Sequence, residues 1–173
     1  MEKIIRELQP KEYAAICAEK LRDGAFLTTS VGDKVNSMWV NWGSIGYTWR
    51  RYCCTVWVRP SRYTTELLRQ NPSFTVSIPL RNEHKEALRV CGKLSGRDED
   101  KLKVAGIETR SPKTGTTPVI AGTGFIHLEC RLVMIQDPDL DTMDPELKAF
   151  FYESEPNNAH IAYIGEITSA YEV

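Results

Sequence analysis

A run of cationic and hydroxyl side chains at residues 59–64 has the composition of a phosphate site. The sequence there reads RPSRYT, and its hydrogen-bonding side chains are Arg59, Ser61, Arg62 and Thr64. Guanidinium groups make forked, charge-assisted hydrogen bonds to phosphate, and compact hydroxyls near a helix start add further donors. The same residue types also serve as ordinary helix N-caps, with the arginines facing water. From this segment alone both interpretations stay open, and the strand-to-helix turn is the commoner of the two.

The second segment that could hold a ligand is NSMWVNWGSIGYTW, which places three tryptophans within residues 36–49. If residues 35–42 form a strand, alternate side chains point to opposite faces. Each face then pairs an indole with a polar group: Asn36, Met38 and Trp42 on one, and Ser37, Trp39 and Asn41 on the other. A flat aromatic ligand with a polar edge would suit such a surface. Large core or subunit-interface residues are the alternative interpretation.

Composition excludes several classes of protein. The 173 residues carry 22 Lys and Arg against 23 Asp and Glu, which argues against a nucleic-acid binder. No apolar run is long enough to cross a membrane, and the charged N-terminus does not resemble a signal peptide. The five cysteines include the adjacent Cys53 and Cys54 but no CxxC motif, so we expect no disulfide framework, no metal site and a cytoplasmic protein.

The elements that must position these segments are mostly strands. Runs rich in β-branched and aromatic residues predict six strands, at 25–31, 35–42, 52–59, 73–79, 124–137 and 159–172. Short helices are predicted at 10–22, 64–71 and 81–92, with another beginning at Ser95, three residues before Asp98. Regular βαβ alternation is missing, and no repeat or composition break divides the chain. We therefore predict a single domain over 1–173, mainly β with short helices, built as an antiparallel barrel.

Five blocks of the sequence, taken in order, resemble the flavin reductase-like, FMN-binding split-barrel family, which includes flavoredoxin. The blocks are NSMWVNWGSIGYTW, VRPSRYTTELL, CGKLSGRDEDKLKVAGI, LEC and HIAYIGEI, and the resemblance spans roughly residues 20 to 173. It implies a six-stranded antiparallel Greek-key split barrel. It also implies a homodimer, with FMN bound noncovalently near the subunit interface. Trp39 departs from the pattern, because relatives often have threonine there.

The resemblance also implies a set of site residues. Those expected at the polar edge of the flavin ring are Asn36, Ser37, Met38 and Trp42. Those expected at the FMN phosphate are Arg59, Ser61, Arg62 and Thr64. A block near the flavin or the dimer contact contributes Ser95, Arg97 and Lys101, and a histidine near the flavin or nicotinamide corresponds to His160.

The function implied is that of an FMN-binding oxidoreductase, passing hydride or electrons between NADH or NADPH and the flavin. The flavin does the chemistry, so no catalytic side chain is identified. The alternative is a flavoredoxin-like electron carrier with a redox partner protein, or a flavin-binding protein without NAD(P)H turnover. The aromatic load of Trp39, Trp42, Trp49, Tyr52 and Trp57 favours a homodimer. The cysteines are expected to pack as small hydrophobes, and Cys91 lies nearest the flavin-binding blocks.

Overall fold

The computed structural model of the protein describes residues 6–173. Its strands are β1 (Arg6–Glu7), β2 (Ala25–Val31), β3 (Lys34–Val40), β4 (Gly43–Thr48), β5 (Arg51–Val58), β6 (Ser73–Pro79), β7 (Thr109–Arg110), β8 (Val119–Ile120), β9 (Phe125–Gln136) and β10 (Ile161–Glu172). Its α-helices are α1 (Pro10–Lys20), α2 (Tyr63–Gln70), α3 (Lys85–Lys93), α4 (Lys101–Ala105) and α5 (Pro145–Tyr152). The expectation about a signal peptide falls partly on residues 1–5, which lie outside the described residues.

One antiparallel sheet forms the body of the protein. Its strands lie in the order β3-β2-β6-β9-β10-β5-β4, with β1 added beside β10, and β7 and β8 form a separate small pair. The two 12-residue strands, β9 and β10, form the centre, and their pairing shifts register near Gly165. This mainly antiparallel sheet with several short helices confirms the predicted split-barrel fold.

The main sheet has one more long strand than predicted. The region after Trp42 forms β4, which pairs with β5 along its whole length as a hairpin. The turn of this hairpin is Trp49–Arg50, and both residues have positive φ, 53° and 60°. Two-residue hairpin turns with positive φ at both positions usually carry Asn or Gly, so the sequence lacked the usual signal.

One helix prediction needs correction, and one helix was not predicted. The helix expected to begin at Ser95 begins at Lys101, because Asp100 is its N-cap and accepts a hydrogen bond from the backbone N–H of Lys103 at 3.1 Å. Ser95 instead accepts from the backbone N–H of Arg97 within a turn. Helix α5 was not predicted, although Asp144 followed by Pro145 is a recognised helix start.

Two apolar clusters fill the fold. The larger occupies the barrel interior around Phe74, Leu128 and Tyr163, and the smaller packs α3 against the outer face of β9 through Leu88 and Phe125. All five cysteines are buried and free. No helix within residues 6–173 is both long and apolar enough to cross a membrane.

A buried carboxylate fastens the connection that precedes β8 to the sheet. Glu129 on β9 is 1 % exposed and accepts hydrogen bonds from the backbone N–H groups of Lys113, Thr114 and Gly115 and from the hydroxyl of Tyr171. Burial alone would raise the pKa of Glu129, but these hydrogen bonds outweigh it and hold the pKa below its usual value. The ionised carboxylate is therefore part of the fold.

Candidate functional site

An open cleft lies between strand β3, the turn from β5 into α2, and helix α3. Its aromatic part has a volume of about 280 Å³ and is lined by Trp39, Trp42, Trp57 and His160 among others. Its cationic part has a volume of about 190 Å³ and is lined by cations and hydroxyls, including Lys93, Arg97 and Lys101. Both parts are lined by Met38, Arg62 and Lys93, so they form one continuous cleft with an aromatic end and a cationic end.

Two buried or half-buried cations in the cationic part donate, among the described residues, only to backbone carbonyls. Arg62 Nη1 donates to the carbonyl oxygen of Gly92 at 2.8 Å, and Lys101 Nζ donates to that of Cys91 at 3.2 Å. Lys101 is only 5 % exposed. Burial, with a smaller contribution from the nearby Arg62, lowers the pKa of Lys101 to about 8. Within residues 6–173 no carboxylate forms an ion pair with either cation. The positive charges of Arg62 and Lys101 are therefore not neutralised by a described side chain, and an anion could bind between them.

Two other predicted arginines are already engaged by the protein. Arg97 forms an ion pair with Glu66 and donates to the carbonyl oxygen of Ser61 at 3.0 Å. Arg59 donates to the Glu155 carboxylate and to the Asn158 carbonyl oxygen, each at 3.2 Å. Arg59 therefore fastens the segment before β10 to the cleft, although it also lines the aromatic part.

The interpretation of residues 59–64 as a simple N-cap is wrong. The N-cap of α2 is Arg62, and it makes no side-chain capping bond. The hydroxyl of Thr64 accepts instead from Nδ2 of Asn36 at 2.9 Å, and both Ser61 and Thr64 line the cationic part. The hydroxyl-bearing residues of this turn thus belong to the wall of the cleft.

Asn36 and Gly96 form a tight cradle beside the cationic part. Asn36 is 3 % exposed, and its Oδ1 accepts no hydrogen bond from any described residue. A Cβ atom added at Gly96 would lie 2.2 Å from this oxygen, so only glycine fits there without a shift. A larger, more open recess of about 1050 Å³ adjoins here, and Asn36 and Ser37 line it.

The aromatic part is built around Trp42. The centroid of its ring system lies 4.5 Å from that of His160 and 5.0 Å from that of Phe151 on α5. His160 Nδ1 lies 3.0 Å from the hydroxyl oxygen of Tyr152. Burial, followed by the charges of Arg59 and Arg62, lowers the pKa of His160 to about 4. The imidazole is therefore neutral at pH 7 and adds an aromatic face, without a charge, to the cleft.

Trp39 occupies the outer edge of the aromatic part. A Cβ added at Gly24 would lie 2.0 Å from Trp39 Nε1, and one added at Gly92 would lie 2.9 Å from its Cε3. The two glycines thus leave room for the indole of Trp39. Trp39 is 40 % exposed and lines the aromatic part, so its indole is reachable from solvent at the cleft.

The structure brings ten of the twelve predicted site residues into the cleft, and places the other two, Asn36 and Ser37, in the adjoining recess. The lining or wall residues that the prediction missed include Arg89, Lys93, Phe151 and Tyr152. Arg89 and Lys93 are four residues apart on α3 and so share a helix face, which the sequence could have revealed. Phe151 and Tyr152 belong to the helix that was not predicted. Among the described residues, no group of three or more His, Cys, Asp or Glu side chains could hold a metal ion.

The fold and the cleft define a split-barrel protein suited to a ligand with a flat aromatic end and an anionic end. Over residues 23–173 the chain matches the flavin reductase like domain, and it belongs to that family. A comparison with curated proteins returned no match.

Solved structures of similar fold include several flavoproteins. Flavoredoxin from Methanosarcina acetivorans is 26% identical, with a TM-score of 0.66 over 87% of this chain and 68% of that one. An FMN-binding protein from Thermus thermophilus with bound 1-cyclohex-2-enone is 20% identical, with a TM-score of 0.66 over 86% and 69%. The NADH:FAD oxidoreductase SgcE6 from Streptomyces globisporus C-1027, in complex with NAD and FAD fragments, is 17% identical, with a TM-score of 0.64 over 97% and 87%.

Proposed function

We propose that the cleft binds FMN noncovalently and that the protein is an FMN-dependent oxidoreductase. In this proposal the phosphate lies in the cationic part and the ring lies in the aromatic part, beside Met38 and Trp42. The aromatic part matches the flat ring of FMN, and the cationic part matches its phosphate. The two parts form one continuous cleft, as a single molecule with both ends requires. Family membership supports the same assignment.

The observation that carries the proposal is that Lys101 and Arg62 form no ion pair with any carboxylate in residues 6–173. Burying a lysine with no opposite charge is costly, which is why the pKa of Lys101 is lowered. A phosphate between Lys101 and Arg62 would supply the missing charge and accept forked hydrogen bonds from the guanidinium. The first turn of α2 begins at the same place and adds backbone N–H donors. Arg97 and Arg59 fit secondary roles, since both already have protein partners.

Bound FMN would supply the redox chemistry, and the chain's own residues would bind and orient it. Trp42 and Met38 offer an apolar surface to one face of a flat ring. The neutral imidazole of His160 and the indole of Trp39 limit access at the edges of the cleft. Asn36 Oδ1 is a buried acceptor near the cationic part and could accept from a cofactor hydroxyl.

The reductant in the leading form of the proposal is NADH or NADPH. The NADH:FAD oxidoreductase among the similar structures supports it, whereas the flavoredoxin supports the alternative of an electron carrier. Anaerobic addition of NADH, and separately NADPH, to the FMN-loaded protein distinguishes them. Loss of the oxidised flavin's visible absorbance would establish the oxidoreductase. Stable binding of FMN, with no bleaching by either nucleotide but full bleaching by dithionite, would establish the carrier.

We also propose that the protein works as a homodimer in a reducing cytoplasm. The β4–β5 hairpin supports the dimer, because Tyr47, Trp49 and Tyr52 are 63%, 54% and 44% exposed on it. Contiguous exposed aromatic residues are typical of protein interfaces. Trp42 and Trp57, in contrast, line the cleft. Five buried free cysteines are compatible with a reducing compartment.

A further inference from the structure

The connection between β9 and β10 is strongly acidic. Residues 137–158 contain seven Asp and Glu residues and one lysine, although the whole chain has a formal charge of only −1. All seven carboxylates belong to exposed residues. Only two of them form ion pairs within the described residues, Asp141 with Lys148 and Glu155 with Arg59. This connection therefore presents a dense negative charge to solvent.

Two exposed apolar side chains lie within this acidic connection and are called the apolar pair. Leu147 and Phe150 on α5 are three residues apart, so they share a helix face, and they are 50% and 82% exposed. Glu146 and Glu153 lie four residues before and three residues after Phe150, so they flank its ring on the same side. An exposed apolar centre surrounded by charge has the arrangement of a protein-binding surface.

A recess beside this helix has the lining of a cation site. Its volume is about 270 Å³, and Trp57, Asp137 and Asp139 contribute to its walls. An indole face attracts a cationic group and the two carboxylates neutralise it, so the recess suits a lysine or arginine side chain. Trp57 and His160 line both this recess and the aromatic part of the cleft.

The apolar pair is close to the cleft. The ring of Phe150 lies 4.8 Å, centroid to centroid, from that of Phe151, which in turn lies 5.0 Å from that of Trp42. A protein docked on Phe150 would therefore be separated from the aromatic part by only these rings. Electron transfer between proteins falls steeply with distance, and docking on this face would bring a partner's redox centre close to the aromatic part of the cleft.

We propose that this acidic face, formed by Asp137, Asp139, Glu146, Leu147, Phe150 and Glu153, docks an electron-transfer protein with a basic surface. Phe150 is the apolar anchor, a lysine or arginine of the partner enters the recess beside Trp57, and the surrounding carboxylates steer the encounter. The choice of a basic partner rests on charge complementarity. A second copy of this chain is not the proposed occupant, because the dimer contact is proposed at the β4–β5 hairpin. The redox role rests on the proposed function, whereas docking itself does not.

Electrons balance if the partner carries a one-electron centre such as a ferric haem. Bound FMN that has been reduced by two electrons returns to its oxidised form, two ferric haems become ferrous, and two protons are released to solvent. The partner is thus the oxidant, and NAD(P)H or another two-electron donor restores the reduced flavin.

Binding is tested first, with mitochondrial-type cytochrome c as the basic probe, because calorimetry needs no flavin. At low ionic strength, about 10 mM, surface charges are screened weakly and complex formation is expected. The Asp137→Asn/Asp139→Asn double variant and Phe150→Ser should each weaken binding about tenfold. The matched control is Glu19→Gln/Asp23→Asn, which removes two exposed acids near the C-terminal end of α1 and should bind like the parent.

Electron transfer is tested next, by mixing the FMN-loaded, dithionite-reduced protein with the same cytochrome c in a stopped-flow instrument. The rate should fall about tenfold in the two acidic-face variants at low salt. At about 1 M salt the difference should disappear for Asp137→Asn/Asp139→Asn, because its effect is electrostatic. Ferricyanide, a small anionic oxidant that needs no docking surface, should not be slowed in any variant that keeps its FMN.

Equal binding by the acidic-face variants and the Glu19→Gln/Asp23→Asn control would overturn the proposal. So would conversion of a dimer to a monomer by Phe150→Ser, since the face would then belong to a second copy. If the parent binds cytochrome c through this face but takes up no FMN, docking stands and the proposed function fails. If the parent binds FMN, but cytochrome c reacts equally fast with the parent and with both acidic-face variants, the proposed function stands and this inference fails.

Discussion

Asn36 Nδ2 donates a hydrogen bond of 2.9 Å to Oγ1 of Thr64, and this bond joins strand β3 to the first turn of α2. Both side chains are buried, so the bond fixes the floor of the cleft relative to its cationic part. The other end of the same amide faces Gly96, where no side chain would fit. Three residues distant in sequence thus set the shape of the proposed phosphate site.

Gly96→Ala should disturb the packing of Asn36 and Gly96 beside the cationic part of the cleft. Its Cβ would meet Asn36 Oδ1 at 2.2 Å and Tyr63 at 3.0 Å, so we expect a loss of about 1–3 kcal/mol in stability and about tenfold in FMN affinity. Urea unfolding and a fluorescence titration with FMN measure the two effects. Gly46→Ala is the matched control, because nothing lies within 4 Å of its added Cβ. A Gly96→Ala protein that binds FMN as tightly as the parent would show that the cradle is unrelated to the ligand.

FMN affinity should fall as pH rises through the pKa of Lys101, which is about 8 in the free protein. Below that pH the lysine is charged before binding. Above that pH, Lys101 must take up a proton when the phosphate binds, so FMN affinity should decrease by up to about tenfold per pH unit. Dissociation constants measured between about pH 7 and pH 10 test this, since the phosphate is a dianion throughout that range.

Lys101→Met should bind FMN more weakly near pH 7 and lose most of this pH dependence. Lys11→Met, at an exposed position of α1, should retain both the affinity and the slope of the parent. The same slope in Lys101→Met and in the parent would assign the titration to another group.

The ionised Glu129 should make the free energy of unfolding depend on pH in the acidic range. Its pKa is lowered in the folded protein, so its contribution is present above the pKa of an unfolded glutamate, about 4.3, and is lost as pH falls through the folded value. Glu129→Gln should cost about 1.5–3 kcal/mol near neutral pH, because its amide can accept from fewer of the backbone N–H groups. The difference between variant and parent in urea unfolding should shrink below about pH 4. A cost that stays constant with pH would mean that the carboxylate is not ionised in the fold.

The hairpin should carry the dimer contact. Tyr47→Ser/Trp49→Ser removes the two most exposed aromatic side chains of β4–β5 and should yield a monomer in sedimentation at micromolar concentration. Phe150→Ser removes an even more exposed ring on α5 and should leave the dimer intact. Dimerisation that survives the hairpin substitutions would place the interface elsewhere.

Local sequence patterns were sufficient for most of the strands but not for β4. Residues 43–48 contain two glycines and lie almost entirely in solvent on one side, so neither propensity nor burial predicts a strand there. The strand exists because β5 pairs with it, and its turn uses Trp49 and Arg50 in a conformation that usually belongs to Asn or Gly.

The site could be predicted as a set of residues but not as a set of contacts. Arg59 and Arg62 look equivalent in RPSR, and both line the cleft. Arg59, however, bonds to residues about a hundred positions later, whereas the one described side-chain partner of Arg62 is the backbone carbonyl of Gly92. No local pattern contains that distinction, because the segment after β9 decides it. The burial of Lys101, which lowers its pKa, likewise depends on how α3 and α4 pack.

The most direct test of the central claim compares FMN with riboflavin, which lacks only the phosphate. If Lys101 and Arg62 hold that phosphate, FMN should bind about 100-fold or more tightly, since each charge-assisted bond is worth about 1.5–3 kcal/mol. Arg62→Ala should reduce the preference for FMN by about tenfold or more, while Arg22→Ala, an exposed arginine beside Asp23, should leave it unchanged. Equal affinities for FMN and riboflavin in the parent protein, or an Arg62→Ala variant with the parent's preference, would contradict the account.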